Sequence, residues 1–210
     1  MKILNLYSGI GGNRKLWGDE HDITSVEYNE EIASVYADIF PNDTLIVGDA
    51  HEYLLRNYKE FDLIWASPPC PTHSRLVTCN KEKFYAENRV QYPDMMLYQE
   101  ILLLKHLAPK NVKWVVENVI PYYKPLIEGV ELQRHLFWSN FDINPFAETD
   151  KRKHDQIEGN SIVYGFDLKN YKIKDKRKIL RNMVNPSVGL HILNCANGIK
   201  TVHTKQQNLI

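Results

Sequence analysis

The sequence predicts an α/β fold on a mostly parallel sheet, and three observations predict it. Short apolar runs alternate with stretches of helical periodicity, the pattern of consecutive strand–helix–strand units with right-handed crossovers. The first apolar run passes into Ser8-Gly9-Ile10-Gly11-Gly12, the turn chemistry of a strand feeding a helix. Several later runs end in an acidic residue or a cysteine, and the ends of strands are where open sheets of this class carry their chemistry. At 210 residues the chain fits one domain with a sizeable core.

In chain order, residues 2–7 read as the first strand, 13–18 as a short helix and 23–28 as the second strand. Residues 30–40 read as a helix stopped by Pro41, 44–47 as the third strand, 52–58 as a helix and 63–66 as the fourth strand. The longest helical pattern covers 94–107, with Leu97, Ile101, Leu104 and Leu107 at helical spacing. Residues 112–116 read as a fifth strand and 136–139 as a sixth. After about residue 140 the pattern loosens into polar, lysine-rich sequence, and 188–193 reads as the last regular helix. No linker is rich enough in Pro, Gly or Ser to separate two independent domains.

Three cysteines, at 70, 79 and 195, form no Cys-x-x-Cys pair, and no metal site is expected. An odd count without an apparent signal sequence suggests a reducing compartment, so a cytoplasmic protein is expected. No run of ~18 uncharged apolar residues suggests a membrane span. The formal net charge is zero, but residues 1–150 carry −8 and residues 151–210 carry +8. The densest basic stretch, Lys169 to Arg181, is suited to a polyanion, though any such run also reads as a solvated charged face.

Gly9, Gly11 and Gly12 would let a ligand approach the backbone, but the full Gly-x-Gly-x-x-Gly dinucleotide spacing is absent. Glu27 ends the second strand, where a carboxylate accepts hydrogen bonds from ribose hydroxyls, and Tyr28 beside it is placed to stack on an adenine. Asp49 ends the third strand, where it can accept from an adenine amino group. Taken alone, each acid reads more simply as a helix cap. Three successive strand ends with glycine-rich, acidic and acidic loops describe a nucleoside pocket without a phosphate-binding lysine, which points to S-adenosylmethionine. Cys70 lies in Ala-Ser-Pro-Pro-Cys-Pro-Thr-His-Ser after the buried-strand pattern of residues 61–65, where the prolines stiffen the turn. Glu117 ends a further apolar run, where burial would raise its pKa and let it hold a proton.

The order of these motifs resembles the C5-cytosine DNA methyltransferases. Leu6-Tyr7-Ser8-Gly9-Ile10-Gly11-Gly12 looks like the family's first motif, Glu27-Tyr28 its second and Gly48-Asp49-Ala50 its third. Pro69-Cys70 with Ser74 looks like its nucleophile motif, and Glu117-Asn118-Val119, about 45 residues later, its acid motif. The resemblance implies a Rossmann-like S-adenosylmethionine-dependent methyltransferase fold with a small, basic C-terminal extension. It implies DNA as partner and S-adenosylhomocysteine as product. Cys70 would add to C6 of a cytosine flipped out of the duplex, and Glu117 would bind ring N3 and the exocyclic amine. Tyr7, Ser8, Gly9, Ile10, Gly11, Gly12, Glu27, Tyr28, Asp49, Ala50 and Pro69 would hold the cofactor. Residues 76–92, with Arg75, Lys81, Lys83 and Arg89, would close over the flipped nucleotide.

The chain departs from the family in four places, the slightest being Pro71, where the family usually has Gln after the Pro-Cys pair. Where the family carries two arginines one residue apart, this chain has Gln133-Arg134-His135, so Arg134 or His135 must take the place of the arginine that helps position the base and support the thiolate. The closing motif appears as Asn185-Pro186-Ser187-Val188, which places Asn185 and Ser187 at the methionine end of the cofactor. Only 49 residues separate His135 from Asn185, too few for a separate recognition domain of standard size. The expected organisation is a catalytic and cofactor-binding core at 1–140, a reduced basic recognition segment at 141–184 and a C-terminal segment at 185–210 that returns to the core. Such economy suits a bacteriophage or mobile element, and a dimer or partner chain could complete the DNA surface. The alternative readings are methylation of cytosine in RNA or free nucleotides, and an inactive cofactor-binding subunit.

Overall fold

The computed structural model describes residues 1–75, 92–148, 161 and 163–199. Among these described residues seven strands form one sheet in the order β3-β2-β1-β4-β5-β7-β6. They are β1 (Lys2–Leu6), β2 (Asp22–Glu27), β3 (Thr44–Val47), β4 (Leu63–Ala66), β5 (Lys113–Val119), β6 (Val130–Leu132) and β7 (His135–Ser139). The helices are α1 (Glu30–Ile39), α2 (Ala50–Asn57), α3 (Met96–Leu107), α4 (Lys176–Asn182) and α5 (Pro186–Ala196). β1 to β5 pair in parallel, and β7 runs antiparallel between β5 and β6. The expected α/β, mostly parallel, Rossmann-like sheet is therefore present.

The central strands read as unbroken apolar runs because both of their faces are covered. Leu4, Leu6, Ile64, Ala66, Trp114 and Val116 pack on one face with Leu54 of α2 and Leu97, Ile101 and Leu104 of α3. Ile3, Leu63, Trp65 and Val115 pack on the other with Trp17 and with Val188, Ile192 and Leu193 of α5. A third cluster joins Ile10 and α1 residues Val35 and Tyr36 to Phe166, Leu168 and Leu180, so the lysine-rich segment packs beside the glycine loop.

Residues 13–18, expected as a helix, form turns instead. Buried polar contacts outweigh the local propensity there. The Arg14 guanidinium donates to both carboxylate oxygens of Asp43, at 2.9 and 3.0 Å, and Tyr36 Oη donates to the same carboxylate at 2.7 Å. Asn13 Nδ2 donates to Asn5 Oδ1 at 2.8 Å, and Trp17 Nε1 donates to the Gly189 carbonyl at 3.1 Å. β6 and α4 carry little sequence signal, because each buries a single side chain, Leu132 and Leu180. β5 extends beyond the expected residue 116 to Val119, which places Glu117 inside the strand rather than in the loop after it. α5 begins earlier than expected, at Pro186, with the Asn185 side chain accepting from Ser187 N as its cap.

The turn after β4 is tied to its neighbours at several points. Ser67 N donates to the Leu6 carbonyl at 3.2 Å, and Asn118 Nδ2, from β5, donates to the Pro68 carbonyl at 2.9 Å. His73 N and Ser74 N both donate to the Cys70 carbonyl, and Tyr122 N donates to the His73 carbonyl at 3.1 Å. The His73 side chain is fully buried, with Nδ1 2.6 Å from Tyr123 Oη, while Nε2 has no partner among the described residues.

This packing makes Gly189 and His73 testable positions. A Cβ at Gly189 would lie 2.1 Å from the Asn13 carbonyl oxygen, a backbone atom that cannot yield cheaply. Gly189→Ala should therefore cost about 1–3 kcal/mol in urea unfolding, or more if the turn at residue 13 is displaced. Burial lowers the His73 pKa, so below its ordinary value of 6.5 the unfolded chain binds the proton that the folded chain excludes. Stability from this group is complete above that pH and falls as pH drops. His73→Phe should lose less stability between pH 7 and 5 than the parent, read by parallel denaturant titrations.

Candidate active site

A cavity of about 650 Å³ opens at the C-terminal ends of β1, β2, β4 and β5, within the ~300–1,000 Å³ range of small-molecule sites. β1 and β4 are adjacent, while their connections lead to opposite sides, so the site lies at the switch point of the sheet. Of the residues singled out from sequence, Tyr7, Ser8, Gly9, Ile10, Gly12, Glu27, Pro69, Cys70 and Glu117 line it together.

The glycine loop is shaped by backbone that few other residues adopt. Gly9 has φ +55°, and a Cβ there would meet nothing within 4 Å, leaving its backbone open to a ligand. Tyr7 itself has φ 56°, and its hydroxyl donates at 2.6 Å to Glu100 Oε1, a fully buried carboxylate that also lies 2.9 Å from His51 Nδ1. Burial and that carboxylate raise the Tyr7 pKa, so the phenol stays protonated and its ring is held against the cavity wall.

Glu27 is held by two backbone donors, Gly9 N at 2.9 Å and Asn29 N at 2.9 Å. A carboxylate has about four acceptor positions, so two remain for ribose hydroxyls. Ser8 Oγ is buried on the cavity wall without a partner among the described residues, which leaves a hydroxyl for a carboxylate to use. A cavity with an open glycine backbone, an anchored carboxylate and an orphaned hydroxyl fits an amino-acid nucleoside such as S-adenosylmethionine.

Cys70 is half-buried in the turn after β4, and its thiol is pushed up to about 11. Burial is the main cause and the Glu117 carboxylate the second; its own backbone N–H, Lys178 and Arg181 act in the opposite direction. The resemblance implies a site that supports the thiolate, whereas burial and Glu117 here favour the thiol form. Glu117 is buried on the sheet face that carries Val115, opposite Phe137 of β7. His135 Nε2 lies 3.5 Å from Glu117 Oε1, with both side chains buried. Arg134 sits in the two-residue turn between β6 and β7, where its carbonyl accepts from Ile120 N, and does not line the cavity. Of the two candidates, His135 is the one beside Glu117.

Other residues named from sequence lie outside the lining. Asp49 caps α2, accepting from Glu52 N at 2.9 Å, and Ala50 is buried in the first turn of that helix. Tyr28 is 79% exposed. Gly11, at φ +80°, packs against Phe40 rather than on the cavity. Asn185 caps α5 and donates to Gln133 Oε1 at 3.3 Å, and Ser187 follows it in the first turn. The loop expected at 76–92 lies, apart from Tyr92, outside the described residues, as does Cys79.

One wall was not anticipated. Ile173, Lys174, Asp175, Lys178, Ile179 and Asn182 line the cavity from α4 and the chain before it. The expectation of a pocket without lysine holds for the strand-end loops and fails for the cavity as a whole. The basic run was the available signal, but its position beside the glycine loop depends on long-range packing through Leu180. No helix among the described residues is long and apolar enough to cross a membrane.

No curated protein matches the chain. Among solved structures, a hypothetical protein of Thermus thermophilus aligns at 14% identity and TM-score 0.43, over 66% of this chain and 73% of that one. A conserved hypothetical protein of Streptococcus pyogenes aligns at 17% identity and TM-score 0.40, over 66% and 85%. A SAM-dependent methyltransferase from Agrobacterium tumefaciens aligns at 14% identity and TM-score 0.37, over 59% and 40%. Overlaps this low decide nothing about function. The family model is decisive: residues 1–121, more than half of the chain and the part that supplies the glycine loop, Glu27, Cys70 and Glu117, match C-5 cytosine-specific DNA methylase, and the chain belongs to that family of S-adenosylmethionine-dependent methyltransferases.

Proposed function

We propose that the protein methylates C5 of cytosine in DNA through a covalent Cys70–C6 adduct, on a base flipped out of the duplex. The observation that carries this reading is the convergence of Cys70 and Glu117 on one cavity with the glycine loop and Glu27. Bound S-adenosylmethionine supplies an electrophilic methyl group on a sulfonium and leaves as S-adenosylhomocysteine.

The chain's own residues do the rest. Glu27 holds the ribose hydroxyls, and the Ser8 hydroxyl meets the methionine end. Glu117 delivers a proton to ring N3 as the sulfur adds, which offsets the negative charge that addition would place on the ring. The Cys70 thiolate forms the S–C6 bond, and the C5–C6 π pair moves to C5. C5 takes the methyl group. A water molecule accepts the C5 proton, that C–H electron pair re-forms the C5–C6 double bond, the thiolate leaves C6, and the N3 proton returns to Glu117. Protonating Glu117 also removes the carboxylate that raises the Cys70 pKa, so base binding and thiolate formation favour each other.

In this reading residues 1–140 are the catalytic core, 141–184 are a reduced recognition segment, and 185–210 complete the core. Arg134 at its turn, Asp49 and Ala50 at the start of α2, Tyr28 on the surface, and Asn185 with Ser187 support the site from outside the free-state cavity. The basic face of Lys169 to Arg181 meets the phosphate backbone.

Duplex DNA incubated with cofactor carrying a labelled methyl group should yield labelled 5-methylcytosine. Labelling confined to tRNA or dCMP in a competition would move the substrate to RNA or nucleotides, and no label in any of them would contradict the proposal. Cys70→Ala should reduce turnover by at least ~10³-fold with cofactor affinity retained, measured by calorimetry. Glu117→Gln should reduce turnover by ~10²–10⁴-fold.

A further inference from the structure

We propose that Lys178 of α4 is the positioning residue that supplies the positive charge supporting the Cys70 thiolate, taking over from an arginine whose aligned positions in this chain are Gln133 and His135. The inference rests on Cys70 being the nucleophile. It begins with an electrostatic gap. The aligned positions are Gln133 and His135, and Arg134 between them does not line the cavity. His135 lies against Glu117, where a carboxylate competes for any charge it gains.

Two lysines, Lys174 and Lys178, line the cavity, and of these Lys178 is the one that acts on the thiol. Lys178 lines it together with Cys70 and Glu117, on the face of α4 that also presents Ile179 and Asn182. That face is held in place from behind. Leu180 is fully buried with Ile10, Val35 and Tyr36, and Asp175 caps the helix by accepting from Lys178 N at 3.0 Å. Arg181 lies three residues on, on the same side, and both cations favour the charged form of Cys70. The charged groups that act on the thiol are thus Glu117 of β5, with His135 of β7 behind it, opposed by Lys178 and Arg181 of α4, while Glu27, Glu31, Lys174 and Asp175 also line the cavity.

Lys178 is exposed, so water screens its field. A cofactor and a flipped base in the cavity would displace that water and strengthen the same charge as the thiolate is needed. A lysine on a flexible stem suits this position, since it acts as a point charge rather than a planar fork. The basic segment, docked onto the cofactor core, therefore contributes to the chemistry as well as to DNA affinity.

The test reads the thiol directly and needs no turnover. Iodoacetamide alkylation of the Cys70-containing peptide is followed by mass spectrometry at pH 7–9 for the parent, Lys178→Gln and Lys178→Arg, with and without S-adenosylhomocysteine. Lys178→Gln should slow the reaction at pH 8 at least about twofold, with a larger effect in the presence of S-adenosylhomocysteine. Lys178→Arg should restore the parent rate. An unchanged rate in Lys178→Gln would overturn the inference, including the case where only cofactor affinity falls and the lysine serves the cofactor carboxylate. Failure of the nucleophile assignment would show elsewhere, as methyl transfer surviving in Cys70→Ala.

Discussion

Parallel pairing of β1, β4 and β5 is the constraint on which the site depends. In-register contacts from Leu6 to Ala66 to Val116 bring the glycine loop, the Pro-Cys turn and Glu117 to one level at the C-terminal edge of the sheet. The hydrogen bond from Asn118 to the Pro68 carbonyl then fixes the turn relative to the strand that carries the acid. It is a buried bond between a side chain and a backbone carbonyl whose proline-rich turn has few donors of its own. Losing Asn118 would leave that carbonyl unsatisfied and free the turn that holds Cys70.

A second layer of constraint acts through the C-terminal part. α5 closes one sheet face and brings its Gly189 against the backbone at Asn13, an approach that a Cβ would block. The resulting turn is held by Arg14, Asp43 and Tyr36, a buried charge pair whose acceptors are satisfied by several donors. α4 then packs beside that loop and forms the wall opposite Cys70. The same docking that shapes the cavity brings Lys178 and Arg181 to act on the thiol against burial and Glu117.

Much of this was legible in the sequence where local patterning and buried packing agree. β3 and β4 have the expected bounds because short apolar runs are flanked by clear breakers, and the chemistry-bearing residues of β1, β2, β4 and β5 follow from their places at strand ends. The turn at residues 13–18 was misread because its conformation is decided by Asp43 and Gly189, distant in sequence. β6 and α4 were missed because one buried residue each leaves no period to detect. Asp49 and Asn185 carry the residue types that cap helices, and in the free protein they do so. The lysine wall was visible as charge but not as location.

The central claim is that the Cys70 sulfur forms a bond to cytosine C6. Its most direct test is a duplex carrying 5-fluorocytosine, incubated with the protein and S-adenosylmethionine, because a C5 fluorine cannot leave as the proton does and the adduct cannot resolve. The expected result is a protein–DNA complex that survives denaturation and whose cross-linked peptide contains modified Cys70. Methylation of ordinary duplex DNA without any such complex, or a cross-link on another residue, would contradict it.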